Sequence, residues 1–148
     1  MNIIGVAMLI LPSMPRPDDL REAAALAYGV PSRDVAVGDY WDGGNAFPVG
    51  RRVYLNVWNE AYGGDLPVLY DQMIDASLAD GIEASTQRIA NRLGMMVVTN
   101  DLEGEAAFIH LPDGRTERRF LRELPEGGLL LPADLKPVAL RERQVRAA

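Results

Sequence analysis

Apolar and polar residues alternate in residues 52–58, where Val53, Leu55 and Val57 occupy every second position. Successive side chains of a strand point to opposite faces, so this pattern predicts a strand with one aliphatic face. Residues 3–11 are almost continuously apolar instead, which favours a strand buried within the fold. We expect both stretches to lie in one sheet.

Two segments carry the longer period of an amphipathic helix. The first is predicted to begin at Pro17, which suits a first helical turn, and to end before Gly29, a typical C-cap residue. The second is predicted over residues 82–93, with Gly94 ending it. Residues 66–75 fit a strand paired back through a Gly-Gly turn, although their spacing also suits a helix; we favour the strand.

Five shorter strands are predicted from the remaining apolar runs, at residues 35–41, 96–99, 106–111, 116–124 and 129–131. Each helix is followed by a glycine, a strand, an acidic turn and a strand pair, a repetition that suggests two tandem β-α-β-β halves. We therefore predict an α+β fold with a single domain over residues 1–137, a mainly antiparallel sheet and two helices on one face. The other face is expected to be exposed or covered by a partner, and residues 138–148 to form a C-terminal helix or a flexible tail.

The composition excludes several classes of protein. The 148 residues contain no cysteine and one histidine, so disulfide frameworks, thiolate–zinc sites and His-rich metal sites are excluded. The net charge of −6, from 21 acidic and 15 basic residues, argues against nucleic-acid binding, which needs a basic face. The apolar N-terminal run ends at Pro12, too short for a membrane helix and without the basic start of a signal peptide. We therefore predict a cytoplasmic protein.

Catalytic signatures are missing as well. The glycine pairs at 43–44, 63–64 and 127–128 lack the spacing of phosphate-binding loops and are interpreted as turns. Strand-end carboxylates, above all Asp42 and Asp101, could share acid–base work or bind a cation, but aspartate is also common in turns. No catalytic residue, metal ligand or cofactor is therefore predicted.

The histidine and the arginines have ordinary explanations. His110 is interpreted as a surface residue of a strand, without an assignable nucleophile beside it. Four arginines alternate with glutamates over residues 115–123, which favours a solvated strand. On such a strand Arg118, Arg122 and Phe120 are expected to share one face, with Arg119 on the other.

The second half of the chain also resembles known proteins. The sequence ANRLGM at residues 90–95 leads into VVTND at 97–101, and a short linker precedes AFIHLPDG at 107–114. This pattern resembles small bacterial α+β proteins of unassigned function, some of them immunity-like proteins from toxin loci. The resemblance implies an inhibitor of a partner protein and transfers no functional residue.

Aromatic and acidic residues are concentrated between residues 39 and 65. Tyrosine and tryptophan are enriched at interface hot spots, and carboxylates attract basic partners. We therefore predict a partner-binding surface made of ten residues: Asp39, Tyr40, Trp41, Asp42, Phe47, Tyr54, Trp58, Glu60, Tyr62 and Asp65. The competing explanation is that the aromatic residues form part of the core.

These observations favour a protein-binding domain that recognises a basic partner protein without turnover, as an immunity-type inhibitor of a toxin or enzyme would. Neither a nucleic acid nor a membrane is predicted as a partner. Two alternatives remain open at this point. One is a small enzyme or ligand-binding domain that uses strand-end carboxylates, and the other is a homo-oligomeric structural subunit such as a homodimer.

Overall fold

A computed structural model describes residues 1–40, 47–100 and 106–138, which form nine strands and two complete α-helices. In chain order these elements are β1 Ile3–Leu11, α1 Pro17–Tyr28, β2 Val35–Gly38, β3 Val53–Asn59, β4 Val68–Asp75, α2 Ile82–Leu93, β5 Val97–Asn100, β6 Ala106–His110, β7 Thr116–Phe120, β8 Arg122–Glu123 and β9 Leu129–Leu130. A further helix begins within residues 136–138. None of the described helices is long and apolar enough to cross a membrane.

Seven strands form one sheet in the order β2-β3-β4-β1-β5-β6-β7. Every neighbouring pair is antiparallel except β2 and β3, which are parallel. The strands β1 and β4 are paired at the centre of the sheet. The chain passes from β1 through α1 to β2, which is parallel to β1, and from β4 through α2 to β5, which is parallel to β4. This is the split β-α-β arrangement. The α+β fold with a mainly antiparallel sheet is therefore confirmed.

Both helices cover the same face of the sheet, as predicted. This face, called the helix face below, carries alternate residues such as Leu55 of β3 and Tyr70 of β4. Alanines line the inner side of α1, so the helix backbone lies close to the strands. Gly29 and Gly94 cap the two helices with φ of 70° and 63°, which confirms both predicted helix ends.

The opposite face, called the second face, is covered in part by the chain itself. Residues 121–138 form the C-terminal segment, which contains the two-stranded β8–β9 sheet and places Leu131 and Leu135 against Ile10 and Ile109. The expectation that this face is exposed or covered by a partner is therefore wrong over β1, β5 and β6. The apolar side chains on those strands are removed from water by the apolar residues of the protein's own C-terminal segment, which is favourable for folding.

The approach of the C-terminal segment depends on two glycine pairs that contact each other. A Cβ atom on Gly64 would lie 2.4 Å from the Leu129 carbonyl oxygen, and one on Gly128 would lie 2.7 Å from the Gly63 carbonyl carbon. Such separations are shorter than real side chains show, so only glycine permits this contact. The pairs 63–64 and 127–128 are turns, as predicted, and they also form the junction of sheet and segment.

Several predicted strand boundaries are shifted by a few residues. The strand predicted over 35–41 ends at Gly38, and the favoured strand at 66–75 is confirmed as β4. The strand predicted over 116–124 breaks at Leu121, because β7 belongs to the large sheet and β8 to the small one. Of the predicted C-terminal helix or tail at 138–148, only residue 138 lies within the described residues, and it is helical.

The predicted halves share an element order but not a pairing pattern. The order β-α-β-β occurs twice, from β1 to β3 and from β4 to β6. In the first half β2 and β3 are parallel, whereas β5 and β6 of the second half are antiparallel. A duplication with conserved strand pairing is therefore not present.

Candidate functional site

The predicted partner-binding residues lie in two separate places. Trp41 and Asp42 are outside the described residues. Asp39, Tyr40, Phe47 and Tyr54 lie at the β2–β3 end of the sheet, whereas Trp58, Glu60, Tyr62 and Asp65 lie where β3 ends and the chain turns into β4. The two groups differ in how fully their polar atoms are used.

The first group contains three rings in contact, called the Tyr54 cluster: Tyr40, Phe47 and Tyr54. The ring centroids are 4.9 Å apart between Tyr40 and Phe47 and 6.1 Å apart between Phe47 and Tyr54. The Tyr54 hydroxyl donates a hydrogen bond to the Pro48 carbonyl at 2.7 Å and accepts one from the Arg51 backbone N–H at 3.2 Å. These rings hold the chain from residue 47 to 51 against the sheet, so the core explanation describes Tyr54 well.

Asn56 lies beneath this cluster and is fully buried. Its side-chain oxygen accepts a hydrogen bond from the Tyr40 backbone N–H at 2.8 Å. Its amide nitrogen has no hydrogen-bond partner. A buried donor without an acceptor costs about 1–3 kcal/mol, so this amide is an exception that needs an explanation.

The second group is built around Trp58, whose side chain is 49% exposed on the second face of the sheet. The Tyr62 ring lies 6.5 Å away in an edge-on arrangement, and its hydroxyl donates a hydrogen bond to the Glu123 carboxylate at 3.0 Å. This hydrogen bond is the main cause that raises the pKa of Tyr62 above its usual value. Trp58 is therefore an open aromatic surface supported on one side by Tyr62.

Three carboxylates on this side of the sheet make no ion pair among the described residues. Glu60 is exposed two residues after Trp58, and within the described part of the chain Glu123 accepts only the Tyr62 hydroxyl. Asp71 is half-buried in the middle of β4, directly opposite Asn56, and makes no hydrogen bond within the described part of the chain. Burial raises the pKa of the Asp71 carboxyl.

Two methionines extend the same face toward β1. A bulge between Val6 and Leu9 interrupts the pairing of β1 with β4, and Met8 lies on the second face against the C-terminal core. Met73 follows Asp71 by two positions on β4, so both are on the second face. The resulting area is called the Trp58 surface and consists of Met8, Trp58, Glu60, Tyr62, Asp71, Met73 and Glu123.

Asp65 has a different position from the other acids. Its carboxylate accepts a hydrogen bond from the Leu131 backbone N–H at 2.8 Å, and its own backbone N–H donates to the Leu129 carbonyl at 2.8 Å. These bonds attach the C-terminal segment to the turn before β4. Asp65 therefore has a structural role: it holds the C-terminal segment at the edge of the Trp58 surface.

The alternative based on carboxylates gains no support from the described geometry. Asp42 and Asp101 lie outside the described residues. Among residues 1–40, 47–100 and 106–138, no group of three or more acidic or histidine side chains could hold a metal ion.

His110 is fully buried on the helix face, so the interpretation as a surface residue is wrong. Its Nδ1 lies 3.3 Å from the Gln87 side-chain oxygen and 3.3 Å from the Thr116 hydroxyl, and that hydroxyl donates to Gln87 at 2.7 Å. Burial lowers the pKa of His110 to about 4. The imidazole is therefore neutral near pH 7, and α2 is the element that encloses it.

The arginine stretch is mostly part of local ion pairs. Arg119 contacts the Asp134 carboxylate at 2.5 Å and Glu117 at 3.6 Å. Arg122 belongs to β8 and thus to the small sheet, so the expectation that it shares one strand face with Phe120 is wrong. The break at Leu121 turns the chain away from the edge of the large sheet.

Sequence reasoning missed Asp71 and Glu123. Asp71 occupies a polar position in a strand that alternates correctly, and only the sheet register shows that it faces Asn56 without a cationic partner. Aspartate in the middle of a central strand is itself uncommon, and this was the available signal. Glu123 lies 61 positions from Tyr62 in sequence, so no local pattern could join them.

Comparison with known proteins adds no relationship. No protein-family model, curated protein sequence or solved structure matches this chain. The functional argument therefore depends on the geometry of the Trp58 surface.

Proposed function

We propose that this chain is a protein-binding domain that holds a basic partner protein on the Trp58 surface, as an immunity-type inhibitor would, without turnover. The observation that carries the proposal is a half-exposed tryptophan on a sheet face beside acidic groups that lack ion pairs in the described part of the chain. The C-terminal segment covers the neighbouring strands β1, β5 and β6, whereas Trp58 keeps 49% of its surface exposed.

Charge selects the kind of partner. The net charge is −6, and Glu60, Asp71 and Glu123 add local negative charge beside the ring. Unpaired carboxylates at an interface steer a positively charged protein and raise its association rate. Buried aromatic contacts slow dissociation instead, and a tryptophan hot spot contributes about 2 kcal/mol or more when truncated to alanine. A basic protein surface fits both properties.

The two methionines suit the same role. Methionine side chains are flexible and polarisable, so Met8 and Met73 can adapt to an irregular partner surface. An immunity-type inhibitor needs only such a surface and sufficient affinity.

The test begins with capture of partners from the source cells on immobilised wild-type protein and on Trp58→Ala. A partner that the wild type retains and the variant loses is then purified, and its binding kinetics are measured at low and high salt. We expect Trp58→Ala to raise the dissociation rate by about thirtyfold, because 2 kcal/mol corresponds to that factor. Glu60→Arg is expected to lower the association rate mainly at low salt.

Two matched controls lie on the other side of the sheet. Leu26 is an apolar residue of α1 that is 65% exposed, so Leu26→Ala removes a comparable exposed side chain. Glu83 is an exposed acid in the first turn of α2, so Glu83→Arg makes the same charge change as Glu60→Arg. If folded Trp58→Ala and Glu60→Arg bind the partner as the two controls do, the proposed surface is wrong.

A further inference from the structure

Asp71 is the least explained residue of the Trp58 surface. It lies in the middle of β4, which is paired on both sides, although aspartate is disfavoured in strands. No cap, turn or ion pair within the described residues uses its carboxylate. A residue that breaks a local preference without a structural gain is a candidate for function.

A second unsatisfied group lies directly opposite. Asn56 is the register partner of Asp71, and its side-chain nitrogen has no acceptor although the residue is fully buried. Its oxygen is held by the Tyr40 backbone N–H, so the nitrogen points away from Tyr40. Buried unsatisfied groups are few in folded proteins, and here one is the cross-strand neighbour of an unpaired carboxylate. The Asn56 nitrogen is a donor inside the fold, so only the Asp71 carboxylate of this pair can accept a hydrogen bond from a cationic ligand.

The chemistry of that ligand follows from its surroundings. A partly desolvated carboxylate attracts a cation more strongly than a hydrated one does. Trp58 follows Asn56 by two positions on β3, where the register with β4 shifts, and the contact of its ring with Tyr62 places it on the second face. A guanidinium ion is planar, bonds a carboxylate through two N–H groups and stacks on an aromatic ring, whereas an ammonium ion is more strongly hydrated and bonds as a point charge.

We propose that Asp71 and Trp58 form a subsite for one arginine side chain of the partner. This inference rests on the proposed function, because it names the group that the Trp58 surface recognises. It also goes further, since a basic partner could be held by diffuse charge with no subsite at all. The preference for arginine over lysine separates these two forms of binding.

The test uses three short peptides with the same flanking glycines and a central arginine, lysine or citrulline. Citrulline has nearly the shape of arginine but no charge. Binding is followed by nuclear magnetic resonance, through the Trp58 indole N–H and the Asp71 backbone N–H, at millimolar peptide. We expect saturable shifts with arginine, weaker ones with lysine and none with citrulline.

The Asp71→Asn variant keeps the shape of the side chain and removes its charge. We expect it to weaken arginine-peptide binding about tenfold, the effect of losing one charge-assisted hydrogen bond. Glu83→Gln removes a charge from α2 and is expected to leave the binding unchanged. Equal shifts with arginine and citrulline, unchanged binding by Asp71→Asn, or no saturable shift with arginine would overturn the subsite.

Failure of the subsite and failure of the proposed function give different results. If the peptides do not bind but Trp58→Ala still loses the captured partner, the surface is correct and the arginine subsite is wrong. If the arginine peptide binds but the captured partner is indifferent to Trp58→Ala, the partner surface is wrong, and Asp71 and Trp58 bind a guanidinium group that does not come from this partner.

Discussion

The Tyr54 cluster and the Trp58 surface come from one aromatic, acidic stretch of sequence and have opposite structural roles. In the cluster, the Tyr54 hydroxyl is used twice by the neighbouring backbone, and its ring is buried. At the Trp58 surface, half of the indole is exposed, and Asp71 is unpaired within the described residues. The comparison shows that the use of polar atoms, more than aromatic content, separates a core from a candidate interface.

The largest expected effect separates the two regions by stability. Tyr54→Ala removes a buried ring and two hydrogen bonds, so the free energy of unfolding should fall by about 3 kcal/mol or more. Trp58→Ala removes a half-exposed ring and should cost less than about 1 kcal/mol. Urea unfolding of both variants measures the difference, and equal losses would show that Trp58 is a core residue.

Acid unfolding sharpens the comparison, because His110 and Asp71 respond with opposite signs. The pKa of His110 is about 4 in the folded protein against 6.5 for the free side chain. Between these values the unfolded chain binds the proton more readily, so stability falls by about 3 kcal/mol as the pH drops from 6.5 to 4. Unfolding experiments on His110→Gln should show that this loss is largely absent.

The Asp71 carboxyl has a raised pKa in the folded state, so its protonation relieves a cost instead of adding one. The variant Asp71→Asn should therefore leave the acid loss of stability in place. An acid loss that survives in His110→Gln and disappears in Asp71→Asn would contradict both assignments.

Two aspartates give the smaller test, again with opposite signs. Asp65→Asn weakens the charge-assisted bond from the Leu131 backbone N–H and should lower the free energy of unfolding by about 1 kcal/mol. Asp71→Asn removes an unpaired and partly desolvated charge, so it should raise the free energy of unfolding at pH 7. Chemical denaturation at pH 7 compares the two, and a stability loss in Asp71→Asn would reveal a structural role for this carboxylate.

The sequence predicted local structure well because local structure depends on near neighbours. Both helices, their glycine caps and the alternation of β3 follow from residues within a few positions of one another. The parallel pairing of β2 with β3 and the cover formed by residues 121–138 depend on contacts across the chain. Alternation tells which residues share a face but leaves open what covers that face.

The candidate site was predictable only in part for the same reason. Trp58, Glu60 and Tyr62 were in the predicted set because aromatic and acidic residues stand out in sequence. The burial of Tyr54 and the attachment of the C-terminal segment to Asp65 require the fold to be known. Asp71 became a candidate only when the register placed it opposite Asn56 without an ion-pair partner in the described chain.

The most direct test of the account is hydroxyl-radical footprinting of the protein, alone and with its captured partner. Trp58 and Tyr62 are oxidisable residues of the Trp58 surface, whereas Phe47 and Tyr54 belong to the Tyr54 cluster. We predict that Trp58 reacts readily in the free protein and is protected by the partner, while the low reactivity of Tyr54 does not change. A partner that protects other regions and leaves the reactivity of Trp58 unchanged would contradict the account.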